Sequence, residues 1–236
     1  AKEVHYWAAK VTSRALKASK FKPSEEVAKV DWLTPDEAAV LLTYEHDKEF
    51  LEKLVLLHAS NQLDTKPFIV LRHGKATPRG DWSKGEDSRP LLPVGKLQAK
   101  YLKQILACWG AKRVVSSPWE RCKATVAPYA MVRGIPVEYK ESLTESGNKE
   151  RPATTLKVIH KLIQDGRSTI VCTHRPALPT VLEELAKYHP LEKLELLENA
   201  KSIKPGHFLV AHLTRPEPGV SRKIVSVETY GPLEAK

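Results

Sequence analysis

The chain has 236 residues, 42% hydrophobic and 28% charged, with a formal net charge of +10. Those proportions support one large packed domain, alone or with a small companion, and exclude wholesale disorder. The excess positive charge asks for phosphate in some form as a partner; three cysteines without metal-type spacing and no long apolar run argue against a disulfide frame, a membrane span and a signal peptide, and so for a cytoplasmic setting.

The first segment, residues 1–46, reads as strand, strand, helix. "VHYWAAKV" alternates in the manner of a strand, and "EEVAKVDWL" supplies a second one. Thr34 then caps a helix over "TPDEAAVLL", with Pro35 at its first position and Glu37 placed to close a capping box. Residues 47–66 read as a linker, in which "HDKEFLEKLVLLHAS" has helical spacing and "NQLDTK" is turn-rich.

From residue 67 strands and helices alternate. "PFIVLR", "AKRVVSS" and "STIVCTH" are strands of a buried sheet. Between and after them come the helices "PVGKLQAKYLKQILACW", "PWERCKATVAPYAMVRG", "PATTLKVIHKLIQDG" and "LPTVLEELAKYH", and two further strands, "GHFLVAHL" and "KIVSVETY", close the chain. Such alternation predicts a three-layer α/β domain over residues 67–236, a mainly parallel sheet with helices on both faces and its ligand beyond the carboxyl ends of the strands.

Two of those strands end in a histidine, His73 and His174, and a third runs into a helix whose first turn carries Arg121. If the three lie together, Arg72, His73, Arg121 and His174 converge into one cationic pocket. Guanidinium forks match phosphoryl oxygens in pairs, which accounts for arginine over lysine. Binding an anion would not require imidazoles, however. A neutral histidine can attack phosphorus and hold the group as a phosphoramidate, with the positive neighbours spreading charge off the transition state and keeping the imidazole unprotonated. Gly74, lacking a Cβ, lets the backbone approach the ligand. Lys75, Arg79, Lys84 and Arg89 form either a phosphate-steering rim or a solvated basic loop, and Arg89 can alternatively pair with a carboxylate such as Asp87. Trp82 is placed to stack on a base if the substrate is a nucleotide. Cys172 reads as a buried strand thiol. His207 and His212 face opposite sides of a strand and cannot share a metal.

These residues resemble a known family. "LRHGKA", "DSRPLLPVGKLQA", "SSPWERCKAT" and "VCTHRPAL" are similar, in order and spacing, to the blocks of the histidine phosphatase (phosphoglycerate mutase-like) superfamily, over roughly residues 67 to 232. The resemblance implies His73 as nucleophile, with Arg72, Arg121 and His174 on the phosphoryl group and no cofactor in this domain. The family's acid maps onto Glu145 in "SLTESG", with Glu141 and Glu150 as alternatives. Residues 1–46 in turn resemble the later strands and closing helix of a MutT-type Nudix hydrolase, without the glutamate-rich box that binds magnesium. This implies the carboxyl-terminal piece of a Nudix–phosphatase protein, similar to the actinobacterial MutT proteins that remove oxidised guanine nucleotides (8-oxo-dGTP, 8-oxo-GTP) in nucleotide metabolism and DNA repair. The missing amino-terminal Nudix half, carrying the magnesium, is then expected as a separate polypeptide partner. Two other functions compete: a phosphohistidine-protein phosphatase and a non-catalytic partner domain. Charge alone suggests nucleic acid, but no reading motif supports that partner.

Overall fold

The computed structural model describes residues 4, 6–189 and 194–232. Its chain divides into two compact units, residues 1–64 and 65–236.

In the first unit three helices form: α1 (Ser13–Ala18), α2 (Pro35–Leu41) and α3 (Glu45–Ala59). Helix α2 starts as its sequence dictates. The Thr34 hydroxyl accepts from the Glu37 backbone N–H, and the Glu37 carboxylate accepts from the Thr34 N–H at 2.8 Å. Tyr6 stacks on Phe50 of α3 with ring centroids 3.9 Å apart and donates to Asp47 Oδ1 at 2.6 Å. The two strands expected over "VHYWAAKV" and "EEVAKVDWL" do not form among the described residues. Alternation specifies a strand only when a neighbouring strand takes up its backbone donors and acceptors, and this unit contains no sheet to do so among those residues. Its helices bury none of their residues, and Trp7 and Trp32 remain 68% and 70% exposed. No group of three His, Cys, Asp or Glu side chains among the described residues could hold a metal ion. Nor is any helix of the described residues long and apolar enough to cross a membrane.

The second unit is built on a six-stranded sheet in the order β3-β2-β4-β1-β5-β6. Its strands are β1 (Thr65–Arg72), β2 (Arg113–Ser116), β3 (Val137–Tyr139), β4 (Thr169–Thr173), β5 (Phe208–Thr214) and β6 (Ile224–Tyr230). The first four pair in parallel, whereas β5 and β6 run antiparallel along one side. Helices α4 (Pro93–Ile105) and α5 (Glu120–Arg133) follow β1 and β2; α6 (Glu145–Glu150), α7 (Pro152–Asp165), α8 (Leu178–Ala186) and α9 (Leu194–Ala200) complete the chain order. The expected three-layer architecture is therefore present, with β3, α6 and α9 added to the elements read from sequence.

Strand side chains alternate between faces, and the apolar runs of β1 and β4 are buried on both. Phe68, Val70 and Val171 point to one side, where they pack with Ile159, Leu162, Val181 and Leu185 of α7 and α8. Ile69, Leu71 and Ile170 point to the other, against Leu102, Cys122 and Val126 of α4 and α5. The carboxyl ends of the strands come out together because the ladder is parallel. Arg72 pairs with Thr173, so that the next residues, His73 and His174, leave the sheet side by side. Ser116 pairs with Cys172, which brings the β2–α5 turn to the same edge.

Candidate active site

All four residues expected to converge do so. The His73 and His174 rings lie 5.2 Å apart between centroids, and Arg121, whose side chain is fully buried, reaches between the elements. Its Nε donates to His73 Nε2 at 3.3 Å, its Nη1 to the Glu86 carbonyl at 2.6 Å and its Nη2 to Glu145 Oε1 at 2.8 Å. The other nitrogen of His73, Nδ1, lies 2.7 Å from the Gly74 carbonyl. A carbonyl can only accept, so the proton sits on Nδ1 and the lone pair of Nε2 faces the pocket. His174 is held by Ser117, whose hydroxyl is 2.8 Å from Nε2, and by Cys122, whose sulfur is 3.4 Å from the same nitrogen. Its Nδ1 lies 3.6 Å from Glu145 Oε1. Arg72 donates from Nη1 to the Ile203 carbonyl at 2.7 Å, and its Nε is buried with no partner among the described residues.

Burial and positive charge together keep both imidazoles neutral. Desolvation first, then the Arg121, Arg72 and Arg89 guanidiniums, lower His73 to about 3 against an opposing pull from the Gly74 carbonyl. Desolvation, followed by Arg121, His73 and the other arginines, holds His174 well below the usual histidine range. An unfolded chain takes up protons on these histidines below pH ~6.5 while the folded one does not, so stability present above that pH is lost as pH falls towards 3. His73 is expected to cost about 1.4 kcal/mol per pH unit across that window, and His174 adds to the loss in the same direction. Urea unfolding at pH 7 and pH 5 checks this: His73→Phe should lessen the acid-side loss, and an unchanged loss would contradict it.

The structure moves several expected roles. Gly74 backs onto helix α4, where an added Cβ would sit 3.0 Å from the Gly95 carbonyl oxygen, and a Cβ on Gly95 would lie 2.0 Å from the Lys75 carbonyl oxygen. The glycine pair thus lets the loop after β1 pass against the start of α4, and closeness to a ligand is not needed to explain it. Arg79 is part of the site: its Nη2 donates to Glu145 Oε2 at 2.5 Å and its Nε to Glu86 Oε1 at 2.9 Å. Lys75 lies exposed nearby, and Lys84 sits over the Trp82 ring at 6.0 Å. Arg89 pairs with Glu86 at 2.9 Å, three residues away, and not with Asp87. Trp82 donates to the Gly85 carbonyl at 2.9 Å and so packs its own loop. Of the three candidate acids, only Glu145 makes contacts in the pocket; Glu150 is exposed and Glu141 uses its backbone carbonyl to receive the Thr144 hydroxyl. Away from the site, His212 pairs with Glu228 at 2.6 Å while His207 precedes β5.

Sequence reasoning missed Glu86, Ser117 and Thr125. Thr125 accepts from the Gly74 N–H at 2.9 Å and donates to the Arg121 carbonyl at 2.6 Å, tying the β1 loop to α5. A signal for Glu86 existed, since it is an acidic residue among four basic ones in the loop from Lys75 to Arg89.

Residues 68–162 match the histidine phosphatase superfamily (branch 1). The sheet and its helices have the histidine phosphatase fold. A candidate phosphohistidine phosphatase SixA from Nakamurella multipartitia is 20% identical, with a TM-score of 0.54 over 72% of this chain and 98% of its own. A mycobacterial glucosyl-3-phosphoglycerate phosphatase in complex with VO3 is 12% identical, with a TM-score of 0.52 over 68% and 98%. Both likenesses are of fold. A curated relative, the 8-oxo-(d)GTP phosphatase of Mycolicibacterium smegmatis, is 30% identical over 192 residues, 80% of this chain. The chain spans 57% of the length of that relative.

Proposed function

We propose that the histidine phosphatase domain is a phosphohydrolase working through a phosphohistidine on His73, with nucleotide phosphates as substrates. One observation carries the reading: a single buried guanidinium, Arg121, touches both the lone-pair nitrogen of His73 and the carboxylate of Glu145. Nucleophile, phosphoryl clamp and acid are thereby within one side chain's reach.

The residues divide the reaction into two displacements. His73 Nε2 attacks phosphorus, a P–N bond forms, and the bond to the leaving oxygen breaks as Glu145, carrying a proton, transfers it to that oxygen. Water then attacks the phosphohistidine, Glu145 takes its proton, and the P–N bond breaks to release phosphate. Arg121, Arg72 and the His174 edge spread the charge on the equatorial oxygens. The unpartnered Nε of Arg72 is a buried donor to which an anionic oxygen is the natural complement.

For the substrate, support comes from the curated relative described as an 8-oxo-(d)GTP phosphatase, which favours oxidised guanine nucleotides over phosphohistidine proteins. We also assign the chain to the cytoplasm, in keeping with three free cysteines. Residues 1–46 are proposed to be completed by a separate Nudix-like polypeptide, on the strength of exposed Trp7, Trp32 and Leu41. Mixing with that partner should add a magnesium-dependent pyrophosphatase activity that survives loss of His73; no gain would refute the pairing.

The chain is expected to release phosphate from a generic aryl phosphate in the presence of a chelator, because the positive charge of the pocket comes from side chains. Loss of turnover in EDTA would transfer the chemistry to a metal. Glu145→Gln should slow alkyl phosphates, whose leaving oxygen needs a proton, at least ~100-fold more than nitrophenyl phosphate. Equal slowing of both would point to another acid.

A further inference from the structure

Against His174 lies a serine to which the mechanism above gives no task. Ser117 is fully buried and continues the β2 ladder, its backbone N–H donating to the Cys172 carbonyl at 3.0 Å. Its hydroxyl meets two groups. The N–H of Trp119, the residue before α5, donates to Oγ at 3.3 Å, and His174 Nε2 lies 2.8 Å from the same oxygen. The hydroxyl has no further hydrogen-bond partner among the described residues.

That arrangement places a proton. A neutral imidazole carries one N–H, and its other nitrogen can only accept. If Nε2 carried the proton, Oγ would accept twice and its own hydrogen would point at nothing inside a buried site, which costs free energy. With Nε2 bare, the serine accepts from Trp119 and donates to His174, and both donors are used. The proton of His174 is then on Nδ1. The surroundings of Nδ1 agree. Glu145 Oε1 is 3.6 Å away, too far for a hydrogen bond, yet its negative charge favours hydrogen on that side of the ring. The Cys122 sulfur, 3.4 Å from Nε2 and 4.0 Å from Nδ1, is too weak a partner to decide between the nitrogens.

Nδ1 faces the working side of the site. Glu145 Oε1 lies near both it and Arg121 Nη2, which donates to that oxygen at 2.8 Å. Glu145 also lines a cavity of about 560 Å³ beside the histidines, together with Arg79, Glu86 and Trp119. A seat with a donor on each flank suits an anionic oxygen, so a phosphoryl oxygen that displaces the carboxylate meets Arg121 on one side and His174 on the other.

We propose that Ser117 is a positioning residue for the phosphoryl clamp: by donating to Nε2 it fixes His174 as the tautomer whose Nδ1–H is directed at a phosphoryl oxygen. This rests on the reading of His174 as part of that clamp given above. The same hydroxyl accepts from the start of α5, and so sets His174 relative to the helix that carries Arg121. Without it the imidazole is free to carry its proton on either nitrogen, and one of the two forms turns a lone pair towards an anion.

Two-bond ¹H–¹⁵N NMR on the full chain reads which nitrogen of each histidine bears the proton, and the signals missing from a His174→Ala spectrum belong to His174. In the wild-type protein at pH 7, His174 should be protonated at Nδ1 and bare at Nε2. A proton on Nε2 would overturn the proposal, and this measurement needs no variant of Ser117 to fold. Ser117→Ala should show both tautomers, and its kcat/KM with an aryl phosphate should fall about tenfold. In the His174→Ala background the same substitution should cost less than about twofold, because no imidazole is left to orient. An equal loss in both backgrounds, or an unchanged tautomer in Ser117→Ala, would mark Ser117 as packing alone and overturn the proposal. Absence of turnover in the wild-type chain would count against the phosphohistidine reading alone, since the spectrum is read without substrate.

Discussion

Replacing His73 by alanine is expected to reduce phosphate release by about four orders of magnitude or more, down to what clamping and positioning achieve without a covalent step. The expectation stands on the tautomer. Nδ1 of His73 is committed to the Gly74 carbonyl at 2.7 Å, so the nitrogen facing Arg121 is the unprotonated one. A group held at about 3 is free to attack across the whole neutral range, and kcat/KM should show no fall near pH 6.5 on the acid side. Stopped-flow measurement with aryl phosphate, and acid-labile, base-stable labelling of the wild-type chain, check both halves. A variant that keeps its rate would remove the phosphohistidine from the mechanism.

Arg121→Ala should have the next largest effect, about a hundred- to a thousandfold in kcat/KM, with kcat and KM both worsened. Its fork is proposed to bind the ground-state anion and the transition state alike. The loss should also register in stability. Truncating a fully buried arginine leaves the Glu86 carbonyl and one contact of Glu145 without their donor, and broken buried pairs typically cost about 3–5 kcal/mol. Arg121→Lys should restore part of the affinity and little of the rate, since an ammonium cannot reproduce three donations in a plane. Equal activity of the lysine and arginine forms would show that charge alone suffices.

The parts of the molecule that were legible in sequence share one property. Strands β1, β2 and β4 are short apolar runs buried on both faces, and each ends in abrupt polar residues, so both the strand and its exit could be read from the chain alone. Parallel pairing then placed His73, His174 and Arg121 together without knowledge of any contact. Strand β3, three residues at the sheet edge with no buried position, leaves too weak a pattern to find. Helix α6, six residues long, is set by the Thr144 cap and by Asn148 packing more than by periodicity. The first unit failed for the opposite reason. Its alternation was plain, yet a strand requires a neighbour, and local sequence does not report whether one exists. The expected pairing of Arg89 with a nearby carboxylate is present, but the carboxylate is that of Glu86, three residues away, and not the Asp87 given as an example.

The pairing of β1 with β4 has a consequence for how such a protein can change. His73 and His174 follow residues that are hydrogen-bonded neighbours in one ladder, so their spacing is a property of the sheet itself. Other residues that line the cavity beside the histidines, Arg79 and Glu86 before α4 and Glu145, Ser146, Asn148 and Lys149 in α6, ride on segments outside that ladder. Those two segments can be lengthened, shortened or exchanged without altering the distance between the histidines. The two histidines are thus spaced by the sheet, whereas Glu145 and the Glu86 carbonyl that hold Arg121 come from the segments 75–92 and 141–150, so an exchange of either segment would reposition the arginine while the histidine pair stayed in place.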